Sequence, residues 1–169
     1  FTASDKPNLS RFLSTKLITT KFNCVDSPYN FGEVLDSGYV DTALLLEHYQ
    51  KYLISIHSIQ NETFDYAALE IQSDYLIYKN IKAKRIVFAE GFGMLSNPYF
   101  SNLPLDGTKG ELLLIKAPNL NFDVIIKSSI FIIPLGNDIY KVGATYNWED
   151  KTNVPTEAAK NELVSELKK

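Results

Sequence analysis

Cysteine, histidine and arginine are almost missing from this chain. A single cysteine, Cys24, allows no internal disulfide and no cysteine-based zinc cluster. The two histidines, His48 and His57, stand at no spacing that a metal site would use by itself, so no structural metal is expected. Arg11 and Arg85 are the only arginines, and the short lysine-rich spots at 79–85 and 168–169 are offset by acids elsewhere. With a formal net charge of −3 there is no basic field to gather phosphates, which argues against nucleic acid as a partner. No apolar run approaches the ~20 residues that a membrane span needs, and no membrane partner is expected. The chain starts at Phe1 with neither a charged leader nor an apolar signal core. The expectation is a cytoplasmic protein, excised from a longer one. Asn8-Leu9-Ser10 and Asn61-Glu62-Thr63 match the glycosylation triplet, a pattern common enough by chance to carry little weight.

What the chain does have is a dense run of short apolar segments at 109–146. Residues 112–115, 124–126, 130–133 and 139–142 are rich in β-branched side chains and end at Pro118-Asn119, Pro134 and Gly136-Asn137-Asp138. This is the text of an antiparallel strand-turn-strand meander, in which Leu114, Ile126, Ile130 and Ile132 are expected in the core. Upstream, Leu9, Phe12 and Leu13 follow Asp5-Lys6-Pro7 at helical spacing, suggesting a short helix. Residues 17–22 and 31–35 read as a hairpin around the turn at 26–30. Asp41 can cap a helix in which Leu45, Tyr49, Tyr52, Leu53 and Ile56 recur on one face. Short strands are expected at 69–71, 75–78 and 85–89, followed by a Gly-, Pro- and Asn-rich loop at 90–107 with at most one turn of helix. Pro155-Thr156 opens a last helix with an apolar stripe of Ala159, Leu163, Val164 and Leu167. The fold class is therefore α+β, a mixed, largely antiparallel sheet with two main helices. Residues 1–169 are expected to form a single compact unit.

Gly91, Gly93 and Ser96 follow an apolar segment at the spacing of a dinucleotide fingerprint, and an acid, Glu111, lies about twenty residues on. That fingerprint needs a helix starting at its glycines, and Pro98 and Pro104 interrupt one within two turns. A sharp turn after an extended segment accounts for the same residues. The aromatic residues, including Tyr99 and Trp148 in loops, read mainly as packing, and neither histidine has a nucleophile beside it that would suggest hydrolysis.

Taken in order, Ala89-Glu90-Gly91, Lys109-Gly110-Glu111-Leu112-Leu113, Ile132-Ile133-Pro134-Leu135-Gly136, Val142-Gly143-Ala144-Thr145 and Pro155-Thr156-Glu157 form a pattern. It resembles the FAD-dependent oxidoreductases of the D-amino acid oxidase and glycine oxidase type, clearly over 82–167 and more weakly over 31–53. The resemblance implies a substrate-binding domain with part of a flanking FAD-domain sheet around 64–93. It places Ala89 and Gly91 against the flavin nucleotide through their backbone, and Lys127, Phe131 and Thr145 on the substrate side. Phe131 and Lys127 stand where D-amino acid oxidases carry tyrosines, and Glu90 where the family has a small residue. The family's N-terminal glycine fingerprint and C-terminal flavin segment have no counterpart here. The implied function is thus the substrate-binding part of an FAD-dependent amine or amino-acid oxidoreductase, not expected to hold FAD or to act alone, and open to self-association through 75–89. The alternative is a self-contained α+β module that binds a ligand or a protein.

Overall fold

The computed structural model describes residues 13–19, 21–22, 24–27 and 30–169. The helix suggested around Leu9 and Phe12, Asn8, Arg11 and the Pro28-Tyr29 part of the first turn lie outside the described residues. By their contacts the residues form two compact units, one up to Gly38 together with Thr108–Lys169, the other Tyr39–Gly107. The fold is α+β, with antiparallel sheets and two main helices.

In the first unit, β1 (Leu13–Ile18) pairs with β2 (Phe31–Val34), so the first strand lies earlier than the expected 17–22. Phe22 instead sets its ring edge-on to Phe31 at 5.2 Å and to Phe122 at 6.0 Å. The main sheet contains β6 (Leu112–Lys116), β7 (Ile126–Lys127), β8 (Phe131–Gly136) and β9 (Ile139–Gly143), in the order β6-β9-β8-β7. Three strands form the expected meander, but β6 pairs with β9 and not with its neighbour in the chain. Pro134 lies inside β8 instead of ending it. It is tolerated because β7 reaches only to Ile132, leaving no neighbour on that side to need the missing N–H, and a bulge follows before Gly136. The tight turn then uses left-handed backbone at Gly136, Asn137 and Asp138, residue types that adopt it most readily.

Alternation along the strands decides what is buried. Leu113 and Ile115 of β6, Ile132 of β8 and Val142 of β9 face one way, where Ile130, Leu163 and Leu167 close the core. Leu114, expected in the core, is 63% exposed because it points to the opposite face. Ile130 is buried, whereas Ile126 and Ile132 are half-buried. The second main helix, α2 (Glu157–Glu166), starts as expected: the Thr156 hydroxyl accepts from the Ala159 N–H at 3.2 Å, and Ala159 and Leu163 are buried.

In the second unit, α1 (Thr42–Ser55) is capped by the Asp41 carboxylate, which accepts from the Leu44 N–H at 3.0 Å. None of its residues is buried, and Leu45, Tyr49 and Tyr52 of the stripe are all more than half exposed. A three-stranded sheet follows, β3 (Leu69–Ile71), β4 (Leu76–Tyr78) and β5 (Ile81–Ala83). Tyr78 pairs with Ile81 around the two-residue turn Lys79-Asn80, so the third strand falls at 81–83 and the strand expected at 85–89 is absent. Residues 85–90 do alternate, with Ile86, Phe88 and Glu90 partly covered and Val87 87% exposed, but no strand among the described residues pairs with them. Gly91–Ser96 forms a 3-10 helix of six residues, longer than the single turn expected. It stops where Asn97, preceding Pro98, takes extended backbone. Among the described residues, no helix is long and apolar enough to cross a membrane.

Candidate functional site

Two places carry the residues singled out by the sequence, one in each unit. The first is the face of the main sheet opposite α2. There Lys127 of β7 pairs directly with Phe131 of β8, Phe131 with Gly143 of β9, and Gly143 with Leu112 of β6. The next row on the same face is Ile133, Lys141 and Leu114. The surface is thus apolar with lysines at intervals; Leu112 and Leu114 are largely exposed and Phe131 and Ile133 half-buried. Gly143 has no side chain for a reason: a Cβ there would lie 2.2 Å from Leu112 Cδ2 and 2.8 Å from Phe131 Cζ. The two side chains meet over its bare Cα and make the surface continuous.

Thr145 is not part of that face. It is 4% exposed, its hydroxyl accepts from the Glu111 N–H at 3.1 Å, and its own N–H donates to the Glu111 carbonyl at 3.2 Å. It belongs to a polar lattice at the end of the sheet. Lys109 Nζ donates to Asp150 Oδ2 at 2.6 Å, to the Val154 carbonyl and to Thr152, and lies 3.6 Å from Glu111 Oε1. Glu111 accepts from the Thr156 N–H at 2.7 Å and from its hydroxyl at 2.9 Å. The Lys109 hydrogen bond, seconded by the Thr152 N–H, draws the Asp150 carboxyl down to about 2. The Thr156 N–H, above all, holds Glu111 below the usual carboxylate range, and Asp150 raises Lys109. The Lys109-Gly110-Glu111 segment therefore fixes the 147–156 connection and sets the start of α2.

The second place is the turn Ala89-Glu90-Gly91. Gly91 has φ +56°, a left-handed conformation that a side chain would strain, and a Cβ built on it meets nothing within 4 Å. Ala89 is exposed. Glu90 has its carboxylate engaged: Tyr66 Oη donates to one oxygen and Asn97 Nδ2 to the other at 2.9 Å. Asn97 is fully buried and also accepts from the Tyr99 N–H at 2.9 Å. The hydrogen bond to Glu90 raises the Tyr66 phenol above its ordinary value. Around this group Phe88 packs against Phe64, Tyr66, Tyr99 and Phe100, with centroids 5.6 to 6.0 Å apart, and Phe64 stacks on Tyr78 at 4.4 Å. Sequence reading missed Tyr66 and Asn97, because partners 24 and 7 positions from Glu90 leave no spacing signal.

An open cleft of about 420 Å³ lies elsewhere in the second unit, between His57, Gln60, Phe64 and Tyr78, and none of the residues that the resemblance assigns to the flavin or the substrate lines it. No cluster of three metal-ligating side chains occurs among the described residues. No family model matches the chain, and no solved structure matches it significantly.

Proposed function

We propose that this chain is the substrate-binding part of an FAD-dependent oxidoreductase acting on an amine or amino acid. The observation that carries the reading is the partly exposed apolar face of the main sheet, on which Lys127 stands directly opposite Phe131. Those are two of the three positions that the resemblance assigns to the substrate side; the third, Thr145, is buried off this face and bonded to Glu111. Phe131, Ile133, Leu112 and Leu114 supply the apolar surface that excludes water from a reacting carbon, and Lys127 supplies a cation suited to a substrate carboxylate.

A bound flavin would supply the acceptor for the hydride lost from the carbon that bears the amine. The Ala89–Gly91 turn fits a nucleotide brought against its backbone. Space is open above Gly91, and both oxygens of the neighbouring Glu90 carboxylate are held in place by Tyr66 and Asn97. The phosphate cradle belongs, on this reading, to the longer parent protein.

Steady-state kinetics of that parent test the reading. Lys127→Ala and Phe131→Ala should each raise KM for the amine substrate about tenfold, the effect of losing ~1.4 kcal/mol of binding, without lowering flavin content. Unchanged KM in both variants would remove the sheet face from the substrate wall.

A further inference from the structure

Glu90 is the one charged side chain in the turn assigned to the cofactor, and its geometry gives it a task of its own. Three separate segments converge on its carboxylate: the 3-10 turn Tyr66–Ala68 through Tyr66, the Ala89–Gly91 turn itself, and the residue that ends the Gly91–Ser96 helix, Asn97. Asn97 has no exposure, and both ends of its amide are used, toward Glu90 and toward the Tyr99 N–H. The Glu90 carbonyl in turn accepts from the Gly93 N–H at 3.0 Å and starts the helix. A side chain held at both oxygens fixes the backbone that bears it, and here that backbone must hold Gly91 at φ +56°. Nothing else anchors the turn through a ladder, since residues 85–90 pair with no strand among the described residues.

We infer that Tyr66, Glu90 and Asn97 form a clamp whose function is to position the Ala89–Gly91 turn for the cofactor, with Glu90 as the positioning residue. The inference rests on the proposed function for the identity of the ligand, and on the geometry alone for the clamp. It turns an apparent mismatch into a requirement: a small residue there would leave a fully buried Asn97 amide without its acceptor.

The test has two readouts. In the chain itself, hydrogen exchange at the Gly93 and Asn97 amides should quicken about tenfold in Tyr66→Phe and in Glu90→Ala, the worth of one hydrogen bond to a charged group, while the Val142 amide is unchanged. Tyr66→Phe keeps the ring against Phe88 and loses only the donor. Added to Glu90→Ala it should have no further effect, because its partner is already gone. Glu90→Gln, which keeps an acceptor, should retain most of the protection. In the parent protein, flavin release should quicken by a similar factor in Tyr66→Phe and Glu90→Ala.

Exchange that ignores both substitutions overturns the clamp. Exchange that responds while flavin release does not overturns the positioning role and leaves only a structural contact. A parent that binds no flavin in any form refutes the proposed function and with it the positioning role, while the exchange result still decides the clamp.

Discussion

The two helices of this protein are written in the same style and end in different surroundings. Each begins with a polar cap, Asp41 for α1 and Thr156 for α2, and each carries an apolar stripe at three- and four-residue spacing. The stripe of α1 is the larger, with leucines, tyrosines and an isoleucine, yet none of its residues is buried, whereas α2 with a smaller stripe buries Ala159 and Leu163, the latter in the core with Ile130 and Val142 of β9. Amphipathic spacing states which face a helix offers to a partner. Whether this chain supplies the partner depends on sheet topology that the helix does not encode.

Core truncation should give the widest separation between the helices. Leu163 is 1% exposed and touches Ile130 and Val142, so Leu163→Ala should cost about 2–5 kcal/mol in denaturant melts. A loss under ~1 kcal/mol, typical of exposed sites, would mean that α2 is not docked as described. Next comes the sheet itself. Gly143→Ala forces a methyl between Leu112 and Phe131 and should cost about 1–3 kcal/mol. The same substitution with no change in stability would show that the two side chains swing apart easily and that the face is looser than its register implies.

Acid should act on the first unit through Asp150 and Glu111. Both have folded-state values below their ordinary ones, Asp150 at about 2 because of Lys109, and Glu111 because of the Thr156 N–H. A depressed carboxyl stabilises the fold above its unfolded pKa of ~4 and loses that contribution as pH falls through the folded value. The unfolding midpoint should therefore decline between pH ~4 and about 2, and Asp150→Asn should flatten that decline. An unaltered acid profile would place Asp150 apart from Lys109 in solution. The smallest effect belongs to α1: Leu46 is 67% exposed, and Leu46→Ala should stay within about 0.5 kcal/mol. A loss several times larger would reveal a cover over α1 and close the gap between the two helices.

Local chemistry was legible in the sequence where neighbours in the chain settle it. The Asp41 and Thr156 caps, the turn at Asn137-Asp138 and the paired apolar positions of α2 all follow from residues within a few positions of one another. Pairing over distance was not. The unbroken apolar run at 112–115 marks a strand but carries no alternation to say which side is buried, and the choice fell on Leu113 and Ile115 only because β9 and α2 lie where they do. Residues 85–89 alternate like a strand and lack only a partner to make them one. Of the site residues, strand register brings Lys127 and Phe131 together, the Thr145 hydroxyl is bonded to the Glu111 N–H, and the partners of Glu90 come from segments that spacing could not connect.

The most direct test of the central proposal is anaerobic mixing of the parent protein with a panel of amines and of D- and L-amino acids, following the visible absorption of its flavin. The account predicts that the protein purifies with flavin and that at least one member of the panel bleaches it, with bleaching slowed by Phe131→Ala. A full-length protein that carries no flavin, or carries one that no amine or amino acid reduces, would contradict it.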